Sequence, residues 1–195
     1  RRHVYHLTDQ GRQLLEGLGK EAQNEASNKG ALHGTAPQLG HTHGRQQLAE
    51  EVAQQMREQH CMILSGLPGI GKTTVGGLVS EHLLNSGINV RWAQVDEFTD
   101  AQALCQQWGV KGPLPYDEHA LAEYVIKKCK NDALVIDDAH LVHERHLDSI
   151  QSLCGLLDEA KATHMLVIGR EPLSFPGTPL RIAVPALDAK DAAAG

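Results

Sequence analysis

Gly66-Leu67-Pro68-Gly69-Ile70-Gly71-Lys72-Thr73-Thr74 sets three glycines ahead of a lysine and two threonines, at the spacing G-x-x-x-x-G-K-[ST]. The chemistry of that pattern is phosphate binding. Glycines let backbone N–H groups turn inward around phosphate oxygens where a side chain would clash. The Lys72 ammonium then reaches the β- and γ-phosphates and the Thr73 hydroxyl can ligate Mg²⁺. A helix starting near Lys72 aims its partly positive N-terminus at the same anion. Gly66, Pro68, Gly69, Ile70, Gly71, Lys72, Thr73 and Thr74 are therefore the candidate binding residues. The alternative for this stretch is a plain Gly-rich turn.

Asp137-Asp138 is the second chemical element. It ends the apolar run Ala133-Leu134-Val135-Ile136, and carboxylates at the tip of a buried strand are costly unless a cation or hydrogen bonds receive them. A Mg²⁺–phosphate cluster would supply the cation, with Asp137 as its direct or outer partner and Asp138 polarising the attacking water. The alternative is a pair of helix-capping aspartates ahead of Ala139-His140-Leu141. Arg170 follows another apolar run, His164-Met165-Leu166-Val167-Ile168-Gly169. From there it can approach a γ-phosphate, or else pair with Glu171 or Asp138 at the surface.

The elements that must position these groups alternate along the chain. Residues 61–65 read as a strand leading into the Gly loop, followed by a helix over 72–86 that stops at Gly87. Strand 88–95, helix 100–108, helix 117–130, strand 133–137, helix 144–160, strand 164–169 and a last strand near 180–184 follow. Ahead of them, Gln46–Gln59 reads as a helix with Leu48, Val52 and Met56 spaced by four. Alternating strands and helices with short connections imply a parallel sheet covered on both faces, with ligands beyond the carboxyl ends of the strands. All three chemical elements fall at such ends.

Length and composition bound the rest. The 195 residues suffice for one ordinary domain plus an appendage, and a formal charge of −6 argues against whole-surface attraction to nucleic acid. Cys61, Cys105, Cys129 and Cys154 are widely spread with no C-x-x-C pair, which reads as packed, reduced thiols of a cytoplasmic protein. No apolar stretch is long enough to span a bilayer and no signal peptide is visible, so no membrane partner is expected. Trp92 and Trp108 lie in apolar contexts and read as core. The chain starts on Arg1 within what reads as a strand, so an excised piece of a longer protein is expected.

Taken together, Gly66–Thr74, Leu134–Asp138 with Ala139-His140, and Val167-Ile168-Gly169-Arg170 resemble the STAND class of P-loop NTPases, relatives of AAA+ proteins that include the NACHT and NB-ARC modules. Gly44-Arg45 looks like the Gly-Arg element those families place beside the adenine, making Arg45 a nucleotide contact. The resemblance covers about residues 41–187. It implies an α/β three-layer P-loop fold with a five-stranded parallel sheet in the order 5-1-4-3-2. It also implies ATP/ADP and Mg²⁺ as ligands, and slow ATP hydrolysis that switches a larger transcriptional or signalling protein between forms. In that reading Lys72, Asp137, Asp138 and Arg170 carry catalysis, while Thr73 and Asp137 hold the metal. ATP is favoured over GTP by the resemblance, and no N-K-x-D guanine-reading element is visible. Many AAA+ motors have Asp-Glu where this chain has Asp137-Asp138, which favours a switch over a fast motor. The family also adds a helical lid after the core, and Leu187–Asp191 reads as its start, with residues 188–195 a truncated lid or tail.

Residues 2–8 and Asp9–Leu18 read as a strand and a helix. Their Tyr5-His6-Leu7-Thr8-Asp9-Gln10-Gly11-Arg12-Gln13-Leu14-Leu15 resembles the stretch closing a winged helix-turn-helix domain, or is an ordinary strand–turn–helix. On the first reading residues 1–19 end a DNA-binding domain and Arg1, Arg2 and Arg12 touch phosphates. Residues 20–40, rich in Ala, Asn, Gly, Ser and Gln, read as a linker. His140, His143 and His146 are three apart, and His41 and His43 flank Thr42; no Cys or carboxylate completes a zinc set, so a solvated face is expected. Two rival functions stand beside the switch: a DNA-binding regulator with a degenerate P-loop scaffold, and an AAA+ loader or transposition-type ATPase that assembles on DNA. Protein partners or self-association are expected in either case.

Overall fold

The computed structural model describes residues 29–39, 44–171, 173 and 175–186. The strand and helix expected within residues 1–19, His41, His43 and the expected lid start at 188–195 lie outside them. The elements are β1 (Leu32–Gly34), α1 (Gln46–Gln55), β2 (Cys61–Ser65), α2 (Lys72–Asn85), β3 (Val90–Gln94), α3 (Ala101–Gln107), α4 (Glu118–Lys128), β4 (Ala133–Asp137), a 3₁₀ turn (Ala139–Leu141), α5 (Glu144–Ala160), β5 (His164–Gly169) and β6 (Leu180–Ala183).

Every adjacent pair of strands is parallel, and the sheet order is β1-β3-β4-β5-β2-β6. The sheet therefore has six strands where five in the order 5-1-4-3-2 were expected. The added strand is β1, which lies in the stretch read as linker. Its three residues carry no apolar run, but Leu32 and Gly34 register against Val90 and Trp92 of β3. The free edge of β3 supplies the hydrogen bonds that no local pattern announces.

Strands β2 and β4 are buried at every residue. Successive side chains point to opposite faces, which splits the core in two. Ile63, Leu134, Ile136 and Val167 face α3, α4 and α5 with Leu104, Trp108, Val125 and Leu153. Met62, Leu64, Val135 and Ile168 face α1 and α2 with Val52, Met56, Val75 and Val79. Burying one such side chain contributes roughly 1.5–3 kcal/mol, so these layers hold the strand tips rigidly. Trp92 and Trp108 are both in the core, and the Trp108 Nε1–H donates to the Val135 carbonyl at 3.0 Å. The four cysteines are free and buried.

Helix ends follow local chemistry. Asp100 and Asp117 cap α3 and α4, accepting from the N–H groups of Ala103 and Ala120. Gly87, at φ 82°, closes α2, with Gly87 N–H on Leu84 O and Ile88 N–H on Leu83 O. Helix α1 stops at Gln55 instead of Gln59, because the residues after it bond in tight turns to Gln54 and Gln55. Inside α2, a Cβ on Gly76 would sit 2.3 Å from Ile168 Cδ1. Glycine there lets the helix that starts at Lys72 lie directly on β5. No helix among the described residues is long and apolar enough to cross a membrane.

Candidate active site

Strand β2 ends at Ser65 and the chain turns through Gly66–Gly71 into α2. Gly69 and Gly71 have φ of 73° and 92°, conformations that a side chain strains. Gly71 is the residue that opens α2, so the free N–H groups of the first helical turn face the loop. Lys72 is buried, and its ammonium donates to the carbonyls of Gly66 (3.0 Å) and Leu67 (2.9 Å). Burial holds its pKa below the ordinary lysine value and the Arg170 charge adds to this, while Asp138 and Asp137 oppose it.

The acidic tip of β4 comes to the same place. The Thr73 hydroxyl donates to Asp137 Oδ1 at 3.1 Å, and the Asp138 N–H donates to the same oxygen at 2.9 Å. Asp137 is almost fully buried and its pKa is pushed up to about 6, by burial first and then by the Asp138 charge. Such a carboxylate is short of positive charge. Asp138 is one of three non-glycine residues with positive φ among those described, at 58°. That left-handed step swings the chain into the 3₁₀ turn.

A cleft of about 250 Å³ opens between these elements. Pro68, Gly69, Gly71, Lys72 and Thr73 line one wall, and Asp138, His140 and Arg170 the other. The alternative for Arg170, a surface pairing with Glu171 or Asp138, is not formed. Glu171 is 3.2 Å from Arg181 instead, and Asp138 Oδ2 accepts from Gln94 Nε2 at 3.2 Å. Among the described residues Arg170 makes no ion pair. Arg45 is buried on the other side of the loop, where its Nη2 donates to the Ile70 carbonyl at 2.9 Å. Thr74 stands half-buried in the first turn of α2 and is not among the cleft-lining residues.

Two residues were missed or misread. Gln94, at the tip of β3, meets Asp138 because β3 and β4 are neighbours, with Gln94 in register with Asp137. Adjacency of strands is not written in any local pattern. His140 was expected on a solvated histidine face, yet it lines the cleft. His143 and His146 do not share that setting. His143 Nδ1 accepts from the Arg145 N–H at the start of α5, and His146 Nε2 accepts from Arg145 Nε.

The donor set fits a polyphosphate with a hard divalent cation. An open backbone cradle, a lysine and an arginine face the cleft, and a hydroxyl and an under-neutralised carboxylate meet beneath it. Mg²⁺ takes few protein ligands of this kind and completes its shell with phosphate and water oxygens.

Comparison with known proteins agrees with this geometry. Residues 53–175 match the family described as AAA domain. A search of curated proteins finds no significant match. Among solved structures, the chain is similar to the Orc1 protein of Aeropyrum pernix in complex with DNA, at 16% identity and a TM-score of 0.56, covering 80% of this chain and 48% of that one. It is also matched to Cdc6p from Pyrobaculum aerophilum, at 17% identity and a TM-score of 0.49, covering 75% and 46%. The chain thus spans about half the length of these proteins. The Orc1 likeness is one of fold. The comparisons reach an AAA core and do not extend to the STAND class or to a winged-helix segment.

Proposed function

This chain belongs to the AAA domain family, and from that premise we propose that it binds Mg·ATP in the cleft between the phosphate loop and the tips of β4 and β5 and hydrolyses it. The observation that carries this reading is the 3.1 Å hydrogen bond from Thr73 to Asp137. It joins a hydroxyl of the phosphate loop to the acidic strand tip, where the two could share a Mg²⁺ ion as phosphoryl transfer in P-loop enzymes uses them.

Backbone N–H groups of Gly69–Thr73 hold the phosphates, and Lys72 exchanges its loop carbonyls for β- and γ-oxygens. Thr73 and Asp137 would hold Mg²⁺, which supplies charge neutralisation on the phosphate oxygens. Asp138 orients and polarises a water whose oxygen attacks the terminal phosphorus, as the bond to the bridging oxygen of ADP breaks. Arg170 stabilises the terminal phosphoryl group, and Arg45 supports the loop beside the nucleoside. No covalent nucleophile is needed, because positioning and charge supply the catalysis. The physiological role of this reading is a nucleotide-driven change of shape in a larger protein, as in the switch expected from the sequence.

Calorimetric titration with Mg·ATP tests it, in wild type and Lys72→Ala. Wild type is expected to bind and to gain melting temperature through linkage, while the variant loses roughly 100-fold in affinity. Equal affinities in a folded variant would remove the proposal.

A second reading, an ATPase acting on DNA, draws support from the Orc1 likeness, since that structure holds DNA. With a net charge of −6, DNA contact would have to come from a local basic element. A gel-shift titration with duplex DNA, with and without Mg·ATP, separates the two readings. Nucleotide-dependent retardation favours this second one.

A further inference from the structure

His140 sits in the middle of the 3₁₀ turn that follows β4. The residue lines the cleft beside Lys72, Asp138 and Arg170, and both of its ring nitrogens, Nδ1 and Nε2, are buried without a hydrogen-bond partner among the described residues. Buried polar atoms are rarely left so, and an imidazole has one N–H to donate and one lone pair to offer in its neutral form.

The backbone leaves this residue little freedom. The Leu141 N–H closes the turn on the Asp138 carbonyl at 2.8 Å. A Cβ on Gly169 would come 3.5 Å from the backbone nitrogen of His140, so the turn rests directly on the tip of β5. The turn that carries His140 is therefore held at the cleft. Its charged and hydroxyl neighbours are mostly donors: Lys72, Arg170 and Thr73. The one facing carboxylate, Asp138, already accepts from Gln94. A cleft lined by donors takes an anion. Burial first, then the Arg170 charge and more weakly that of Lys72, holds the His140 pKa below the ordinary histidine value against the pull of Asp138.

We propose that His140 reads the terminal phosphoryl group: its imidazole donates an N–H to a γ-phosphate oxygen of ATP, so that the cleft holds the triphosphate more tightly than the diphosphate. The inference rests on the Mg·ATP reading above and adds to it a contact that ADP cannot make, since ADP has no γ-phosphate.

The test is paired calorimetric titration of the 195-residue chain with Mg·ATP and Mg·ADP, for wild type, His140→Ala and His140→Gln. His140→Ala is expected to weaken ATP binding roughly ten-fold while leaving ADP affinity within about two-fold. His140→Gln, which returns an N–H donor near the position of Nε2, is expected to recover part of the ATP preference. Equal weakening of both nucleotides would show that the ring only shapes the loop, and unchanged ATP affinity would show that it touches nothing; either overturns the proposal. Should His140→Ala fail to fold, His140→Phe keeps the ring, removes both nitrogens and carries the same comparison. A wild type that binds ADP but does not prefer ATP refutes the His140 contact alone. A wild type that binds neither nucleotide refutes the Mg·ATP reading and this one with it.

Discussion

Gln94 and Asp138 lie on neighbouring strand tips, and the Gln94 side-chain amide donates to Asp138 Oδ2 at 3.2 Å. The carboxylate assigned to the attacking water is thus held on one oxygen by an amide and steered by a left-handed backbone at φ 58°. Gln94→Ala is expected to lower kcat several-fold with little change in ATP affinity, because the carboxylate loses its orientation and not its charge. Asp138→Asn is expected to cost roughly 100-fold or more in kcat. Steady-state hydrolysis beside calorimetric affinity checks both. A parallel fall in affinity would count against the assignment.

Asp137 carries a pH dependence whose sign can be worked out. Its folded pKa is raised, from 3.8 to about 6, so the folded state favours the protonated form. The stability it contributes is fully present below about pH 4 and is lost as the pH rises through about 6. In metal-free buffer, Asp137→Asn is therefore expected to match wild type near pH 4 and to exceed it above pH 7, by on the order of 3 kcal/mol. The same variant is expected to lose Mg²⁺-dependent ATP binding. Urea unfolding in EDTA across that range is the measurement, and a variant less stable than wild type at pH 8 would contradict the account.

In the proposed reading Arg45 acts through the loop and not on the terminal phosphate. Its guanidinium, buried against the Ile70 carbonyl at 2.9 Å, fixes the loop from behind. Arg45→Ala is expected to weaken ATP and ADP about equally, by roughly ten-fold. It is also expected to lower the melting temperature, because the Ile70 carbonyl loses a charged donor. Selective loss of ATP alone would show a different role.

The four cysteines are buried, and burial pushes the Cys61 and Cys105 thiols up to about 12 and that of Cys129 to about 11, with Cys154 raised as well. Only the thiolate reacts readily. A chromogenic disulfide reagent at pH 8 is expected to label the native chain no faster than it opens. In denaturant it should titrate all four thiols at once. Rapid labelling of any thiol in the native protein would show that its core contact is missing.

The sequence by itself determined the pieces whose physics is local. The phosphate loop is contiguous, so its glycines, Lys72 and Thr73 stand out as candidates from spacing alone. The carboxylates of Asp137 and Asp138 were visible as charges at the end of a buried run, and strands β2, β4 and β5 as unbroken apolar segments. Gly87 marked the end of α2 because only a left-handed residue closes a helix that way.

Tertiary structure decided the rest, because those features depend on which strands become neighbours. Leu32–Gly34 has no strand pattern of its own and becomes one only along the free edge of β3. Gln94 meets Asp138, and Arg45 meets Ile70, across separations of 44 and 25 positions that no periodicity spans. His140 read as the first of three histidines on one helix face. The extended backbone at Val142 and His143, with ψ of 125° and 145°, separates the turn from α5 and breaks that periodicity, so His140 lies off the face of α5 and lines the cleft.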